Sequence, residues 1–276
     1  MKNPILPKYR ALALAVGGLC WALPLTIQAD STYIINNTTA DAFLASGSAG
    51  NPVGSDLTSL NFGGAGTLAI SPASSTKGEF TSVIKFNLAG AVSQFNSTYG
   101  AGNWQIAGLT LRLASNFGDQ GEQPNNGIFN TINAGNFGID WLSNDTWTEG
   151  TGGGMGSPGF PNNSTVSFNS ISTLYSGAYD SLGVYNYAPP GDGIYLSYSL
   201  PLSANLVADA TGGGDVSLYF YAADNQIGYL YNARSFGSNR PEFDIKATPV
   251  PEPASLALIA ASFAGLILWR KQKIQA

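Results

Sequence analysis

Three carboxylates and two tryptophans fall within one short stretch, DWLSNDTWTEG: Asp140, Trp141, Asp145, Trp147 and Glu149. Two carboxyl groups flanking a glycosidic bond are the machinery of polysaccharide hydrolysis, one as acid and the other as base or nucleophile. A tryptophan face next to carboxylate acceptors is also a way to hold a sugar ring without cutting it. The structural alternative is that both tryptophans anchor a core beside the Gly-rich stretch TGGGMGSPGFPNN. Glu149 then braces that loop through backbone N–H groups. One tryptophan without a second exposed aromatic beside it makes a poor sugar platform, so the core role is preferred for Trp147. Carboxylates this close in one strand–loop segment are not diagnostic of a catalytic pair.

Other chemistry is thinly represented. GDQGEQPNNG and AADNQIG offer oxygen ligands of the kind calcium accepts, with Asp119, Glu122 and Asp224 as the candidates. Neither has the spacing of an EF-hand loop, and Asx-turn chemistry explains both equally well. The Gly-rich runs TGGGMGSPG and ATGGGDVS lack the Gly-Lys-Ser/Thr of a phosphate loop and read as turns. The chain has no histidine, which removes the commonest general base and the commonest metal ligand. Apart from calcium, no cofactor is implied. Arg234 and Arg240 flank SFGSN and are placed to pair with Glu242 or Asp244.

Charge is segregated along the chain. Between residues 30 and 248 there are six basic and sixteen acidic residues, a net charge of −10. A body so acidic is unsuited to nucleic acid, whose phosphates require Lys and Arg. The remaining six cations sit at the two ends: Lys2, Lys8 and Arg10, then Arg270, Lys271 and Lys273.

Each end has its own logic. The N-terminus has a basic start, an apolar stretch from Ala11 to Leu25, and Ile27-Gln28-Ala29 close to a small-x-small site. That is the plan of a secretory signal peptide cut between Ala29 and Asp30. The only cysteine, Cys20, lies inside it, so the mature chain has no thiol and no disulfide. At the C-terminus, Ala254 to Trp269 are 16 residues without a charge. A membrane span needs roughly 20, but Trp269 and the cations beyond it are good interfacial flanks, and they orient the tail with its end in the cytoplasm. A plain anchor leaves Pro251-Glu252-Pro253 unexplained.

That tripartite pattern, Val250-Pro251-Glu252-Pro253, an apolar helix, then Arg270-Lys271, resembles the PEP-CTERM sorting signal of Gram-negative bacteria. The resemblance implies a partner, the membrane-embedded exosortase. It also implies anchoring in the inner membrane, removal of the tail near the motif, and passage of the body to the cell surface or extracellular matrix. On this reading the motif residues are a substrate site. Two prolines stop a helix from running upstream and offer an extended segment at the membrane surface.

The organisation expected is a signal peptide over 1–29, a body over 30–248 and a sorting signal over 249–276. The body reads as β. TSVIKFNL, IAGLTLRLAS, GIYLSYSL and GDVSLYFYAAD alternate apolar and polar residues between turn formers. Phe86, Leu109, Leu111, Leu113, Leu218 and Phe220 are expected in the core, with Arg112 and Tyr219 facing outward. TTADAFLAS and PLSANLVADAT are the best short-helix candidates, and residues 47–78 read as a long loop. Many short strands imply one all-β, antiparallel, jelly-roll-like sandwich.

The body also resembles DNRLRE-type domains, secreted β-sandwiches related to carbohydrate-binding modules. Phe86, the run Leu109-Thr110-Leu111-Arg112-Leu113, Trp147-Thr148-Glu149, and the closing YLYNARSFGSNRPEFDIKA carry the similarity. The usual tryptophan-rich continuation after Thr151 is missing. Two functions follow. One is a non-enzymatic exported surface or matrix protein that binds, or is embedded in, exopolysaccharide. The other is a secreted polysaccharide-active hydrolase using paired carboxylates.

Overall fold

The computed structural model describes residues 28–48, 54–116, 133–153, 165–188, 191, 193–250, 261–267 and 270. Ser31–Thr248 form one compact unit, and the two terminal segments form another. Eleven strands are defined among the described residues: β1 (Ser31–Ile35), β2 (Ala40–Ala45), β3 (Thr67–Ile70), β4 (Phe80–Asn87), β5 (Trp104–Ala114), β6 (Gly135–Leu142), β7 (Tyr179–Tyr187), β8 (Tyr195–Leu200), β9 (Asp215–Ala222), β10 (Tyr229–Asn232) and β11 (Glu242–Pro249). Three helices punctuate them: α1 (Ala89–Tyr99), α2 (Ile171–Leu174) and α3 (Ala204–Gly212).

The strands pair antiparallel into a four-stranded sheet, β1-β11-β5-β8, and a five-stranded sheet, β2-β4-β9-β6-β7, with β10 and β3 as a separate pair. The two larger sheets share one core. Leu109, Leu111 and Leu113 of β5 point into it from one side, and Phe86, Leu218 and Phe220 from the other. Phe86 of β4 stacks on Phe243 of β11 at 5.1 Å, an inter-sheet ring contact. The alternation in β5 is the cause on that side: every second residue is buried, and Thr110 and Arg112 stay half-exposed. The Arg112 guanidinium lies 4.7 Å from the Tyr195 ring and pairs with Glu242.

The helices close this core. Ser203 caps α3, accepting from the Leu206 amide at 3.3 Å, and Gly213 ends it with φ of 73°. Leu206 and Ala210 face the sheets. Helix α1 buries Ala91, Phe95 and Tyr99, which is apolar spacing of four.

Four readings of the sequence are corrected. TTADAFLAS holds strand β2, not a helix. All six residues of β2 are buried, so it needs no polar stripe and is paired by β4 in the sheet. Residues 47–78 contain β3 and contribute Leu57, Leu60 and Phe62 to a second cluster with Phe43 and Phe80. Phe43 and Phe62 stack at 4.5 Å. Helix α1 was not foreseen, because its weakly amphipathic, Gly- and Asn-containing sequence gives little periodic signal. Tyr219 is buried rather than outward, because the outer face of the five-stranded sheet is itself covered.

Of the terminal unit, residues 261–267 are helical. Among the described residues no helix is long and apolar enough to cross a membrane. Residues 251–260 and 271–276, with most of the segment expected to span the bilayer, lie outside the described residues, as does the signal peptide up to residue 27.

Candidate functional site

The segment that follows β6 folds back over the outer face of the five-stranded sheet. Trp147, Val166 and Leu174 from this segment pack on Ala42, Val83, Leu142 and Tyr219 of the sheet. Trp147 is only 5% exposed. Its Nε1 donates to Ser217 Oγ at 2.9 Å, and Ser217 donates onward to Asp145 Oδ1 at 2.5 Å. Lys85, on the same face of β4, donates from Nζ to the carbonyls of Asp145 and Trp147 at 2.8 and 3.0 Å. The ammonium also lies 4.8 Å from the Trp147 ring centroid and 3.9 Å from Asp215 Oδ2. Burial pushes the Asp145 carboxyl up to about 6; the Ser217 hydrogen bond opposes this, while the charges of Asp209 and Asp215 add to it. A ring enclosed in this way offers no face to a sugar. Beside it, a shallow cavity of about 260 Å³ lies among Asn144, Trp147, Thr165 and Leu174.

Among the described residues of the Gly-rich stretch, none donates a hydrogen bond to the Glu149 carboxylate. That carboxylate pairs with Arg234, whose sequence neighbours Glu242 and Asp244 are not its partners; Glu242 is taken by Arg112. Arg240 Nε donates instead to the Phe236 carbonyl at 3.2 Å. The Arg234 amide donates to Asp41 Oδ2 at 2.6 Å, and Thr38 Oγ1 donates to the same oxygen at 3.0 Å. Asp41 is fully buried, and burial pushes its carboxyl up to about 7; the charge of Glu149 adds to the rise, and the Arg234 and Thr38 contacts resist it. Glu149 is raised as well, by burial first, against the pull of Arg234.

Asn61 holds the ends of the loop. Its Nδ2 donates to the carbonyls of Glu149 at 2.7 Å and Val166 at 2.8 Å, and its Oδ1 accepts from the amides of Gly63 and Gly152, each at 3.2 Å. Gly63 is required there, since a Cβ would lie 2.0 Å from the Glu149 carbonyl oxygen. Asn61 and Asp41 lay in stretches read as loop and helix, and carried no motif.

The other candidates are dispersed. Trp141 points to the opposite face of the sheet, into the main core, and its Nε1 donates to Asp209 Oδ2 at 2.8 Å. Asp140 Oδ2 accepts from the Tyr175 hydroxyl at 2.7 Å. Asp140, Asp145 and Glu149 are therefore committed to three different partners: Tyr175, Ser217 and Arg234. Asp224 closes an Asx turn, with Oδ1 accepting from the amides of Gln226 and Ile227 and Oδ2 from that of Asn136. Asp119 and Glu122 lie outside the described residues. Among the described residues no group of three or more acidic, His or Cys side chains is arranged to hold a metal. Ala29, Asp30, Val250 and Arg270 are exposed, while Pro251, Glu252, Pro253 and Lys271 lie outside the described residues.

Residues 249–272 match the PEP-CTERM protein-sorting motif. The motif supports export and membrane-associated sorting, with an exosortase as the processing partner. No curated protein matches the chain. Among solved structures, the cryo-EM structure of Mud crab tombus-like virus is similar at 7% identity over 93% of each chain, with a TM-score of 0.24. A likeness at that level carries no argument about fold or function.

Proposed function

We propose that this chain is a non-enzymatic, exported surface or extracellular-matrix protein, embedded in exopolysaccharide once an exosortase has released it. The observation that carries the reading is the sorting motif at residues 249–272. On this reading the signal peptide is cut between Ala29 and Asp30. The apolar tail then holds the chain in the inner membrane, with Arg270 and Lys271 in the cytoplasm. The exosortase cuts near Pro251-Glu252-Pro253, and the body passes to the surface. The body's chemistry supports a scaffold rather than a catalyst: Asp145 and Asp140 serve as acceptors between a loop segment and the five-stranded sheet, and Glu149 pairs with Arg234.

Intact-mass analysis of protein released from the producing cells tests this. The expected species begins at Asp30 and lacks Ile267 to Ala276. A released form that retains those residues, or unchanged release after deletion of the exosortase, overturns the sorting route.

A further inference from the structure

The outer face of the five-stranded sheet is covered toward β2 and β4 by Trp147, Val166 and Leu174. Toward β6 and β7 it presents tyrosines. Tyr179 is 57% exposed, and Tyr175 and Tyr221 are partly exposed. The Tyr175 ring lies 5.1 Å from that of Tyr179 and 5.4 Å from that of the buried Tyr219, edge-on in both cases. Tyr219 and Tyr221 are near-parallel at 6.2 Å.

Two backbone features build this patch. Gly138 is the register partner of Tyr221, and a Cβ there would fall 2.2 Å from Tyr221 Cζ. The ring therefore lies across a strand that has no side chain beneath it. In β7, Gly183 pairs with Ile139 and Ser181 with Asp140, so Leu182 is an extra residue, a bulge. Leu182 enters the main core, and Val184, opposite Gly138, is left 61% exposed beside the tyrosines.

Asp140 lies under this patch, 6% exposed. Its Oδ2 is held by Tyr175, but its Oδ1 is buried and has no hydrogen-bond partner among the described residues. A buried acceptor left without a donor is costly, so a hydroxyl that reaches it is bound favourably. Phenol rings supply an apolar face and a polar edge, the combination that suits the faces and hydroxyls of a pyranose. The acidic body, with six basic against sixteen acidic residues, repels an anionic polymer.

We propose that Tyr175, Tyr179 and Tyr221, with Asp140 beneath them, form a binding site for a neutral polysaccharide. Sugar rings stack on Tyr179 and Tyr221, and a sugar hydroxyl donates to Asp140. The choice of a polysaccharide rests on the matrix reading above; the position of the site and the neutral character of the ligand do not.

The test is co-sedimentation of the full chain, in a detergent without a sugar headgroup, with insoluble neutral β-glucan and with cross-linked polygalacturonate. The expected result is retention on the β-glucan and not on the polygalacturonate. Tyr179→Ala should weaken retention about tenfold with an unchanged melting temperature, Tyr221→Ala should weaken it about tenfold with a lowered melting temperature, and Tyr179→Phe should retain it. Gly138→Ala, which displaces the Tyr221 ring, should weaken it too. Retention that is absent, or equal in wild type and in both alanine variants, overturns the site. So does a concentration-dependent dimer abolished by Tyr179→Ala, which would assign the patch to a second copy of the chain. Failure here leaves the mass of the released protein untouched, so the sorting reading stands or falls separately.

Discussion

Lys85 and Trp147, 62 residues apart, are clamped together: the Lys85 ammonium donates to the Trp147 carbonyl at 3.0 Å and lies 4.8 Å from the centroid of its ring. The contact ties a central strand to the segment that covers it. Trp147→Ala should therefore cost about 3–5 kcal/mol. At roughly 2–4 °C per kcal/mol for a body of this size, the melting temperature falls by ten degrees or so. Lys85→Met should also destabilise, because it strips donors from the Asp145 and Trp147 carbonyls, at about 1–3 kcal/mol for each group left unpaired. Thermal melts of the two variants check this. A Trp147→Ala protein that melts like wild type would make the tryptophan peripheral.

The sandwich core is tested at Leu111, fully buried at the centre of β5 between flanking strands β11 and β8. Leu111→Ala should cost about 2–5 kcal/mol, read from urea denaturation, with the denaturant slope preserved. No loss of stability would place this residue outside the core.

Asp41 predicts a pH dependence. Its folded-state value is raised from 3.8 to about 7, with burial the main cause and Glu149 and Arg234 the charged groups facing it. The unfolded chain releases this proton first, so stability falls as pH rises from about 4 to about 7 and levels off above. The full drop from this residue is about 4 kcal/mol as an order of magnitude. Asp145, raised to about 6 but half-exposed, acts in the same direction and less strongly. Asp41→Asn keeps an acceptor for Thr38 and the Arg234 amide and removes the titration. Its melting temperature should vary less between pH 4 and pH 8 than that of wild type, and an unchanged slope would exclude Asp41 as the source.

Asn61 predicts a local effect. Asn61→Ala strips partners from the Glu149 and Val166 carbonyls and the Gly152 amide, which flank the 153–165 segment, and from the Gly63 amide. Limited proteolysis should then cut between residues 150 and 166 faster than in wild type, at least tenfold, while cutting elsewhere follows global stability. Uniform acceleration across the chain would show that Asn61 does not act locally.

By itself, the sequence determined which side chains of strands β5 and β9 point into the main core. The alternation in IAGLTLRLAS and GDVSLYFYAAD marks Leu109, Leu111, Leu113, Leu218 and Phe220 as inward because a pleated strand presents every second side chain to the adjacent layer. The sorting motif was equally legible, because it acts as a linear segment. Only the tertiary structure decided what covers the other face. Strands β2, β4 and β9 are buried on both sides, so Tyr219, which alternation assigns to solvent, lies under a segment that begins beyond β6. The partners that build the site are far apart in the chain: Glu149 with Arg234, Asn61 with Val166, Asp41 with Arg234, Lys85 with Trp147. Such pairs leave no periodic trace. Their chemistry depends on which loop folds over which sheet face, and that is chosen by the summed burial of Trp147, Val166 and Leu174 rather than by any spacing. The tyrosine patch has the same origin: a bulge at Leu182 and a bare strand at Gly138 turn alternating residues into one exposed surface.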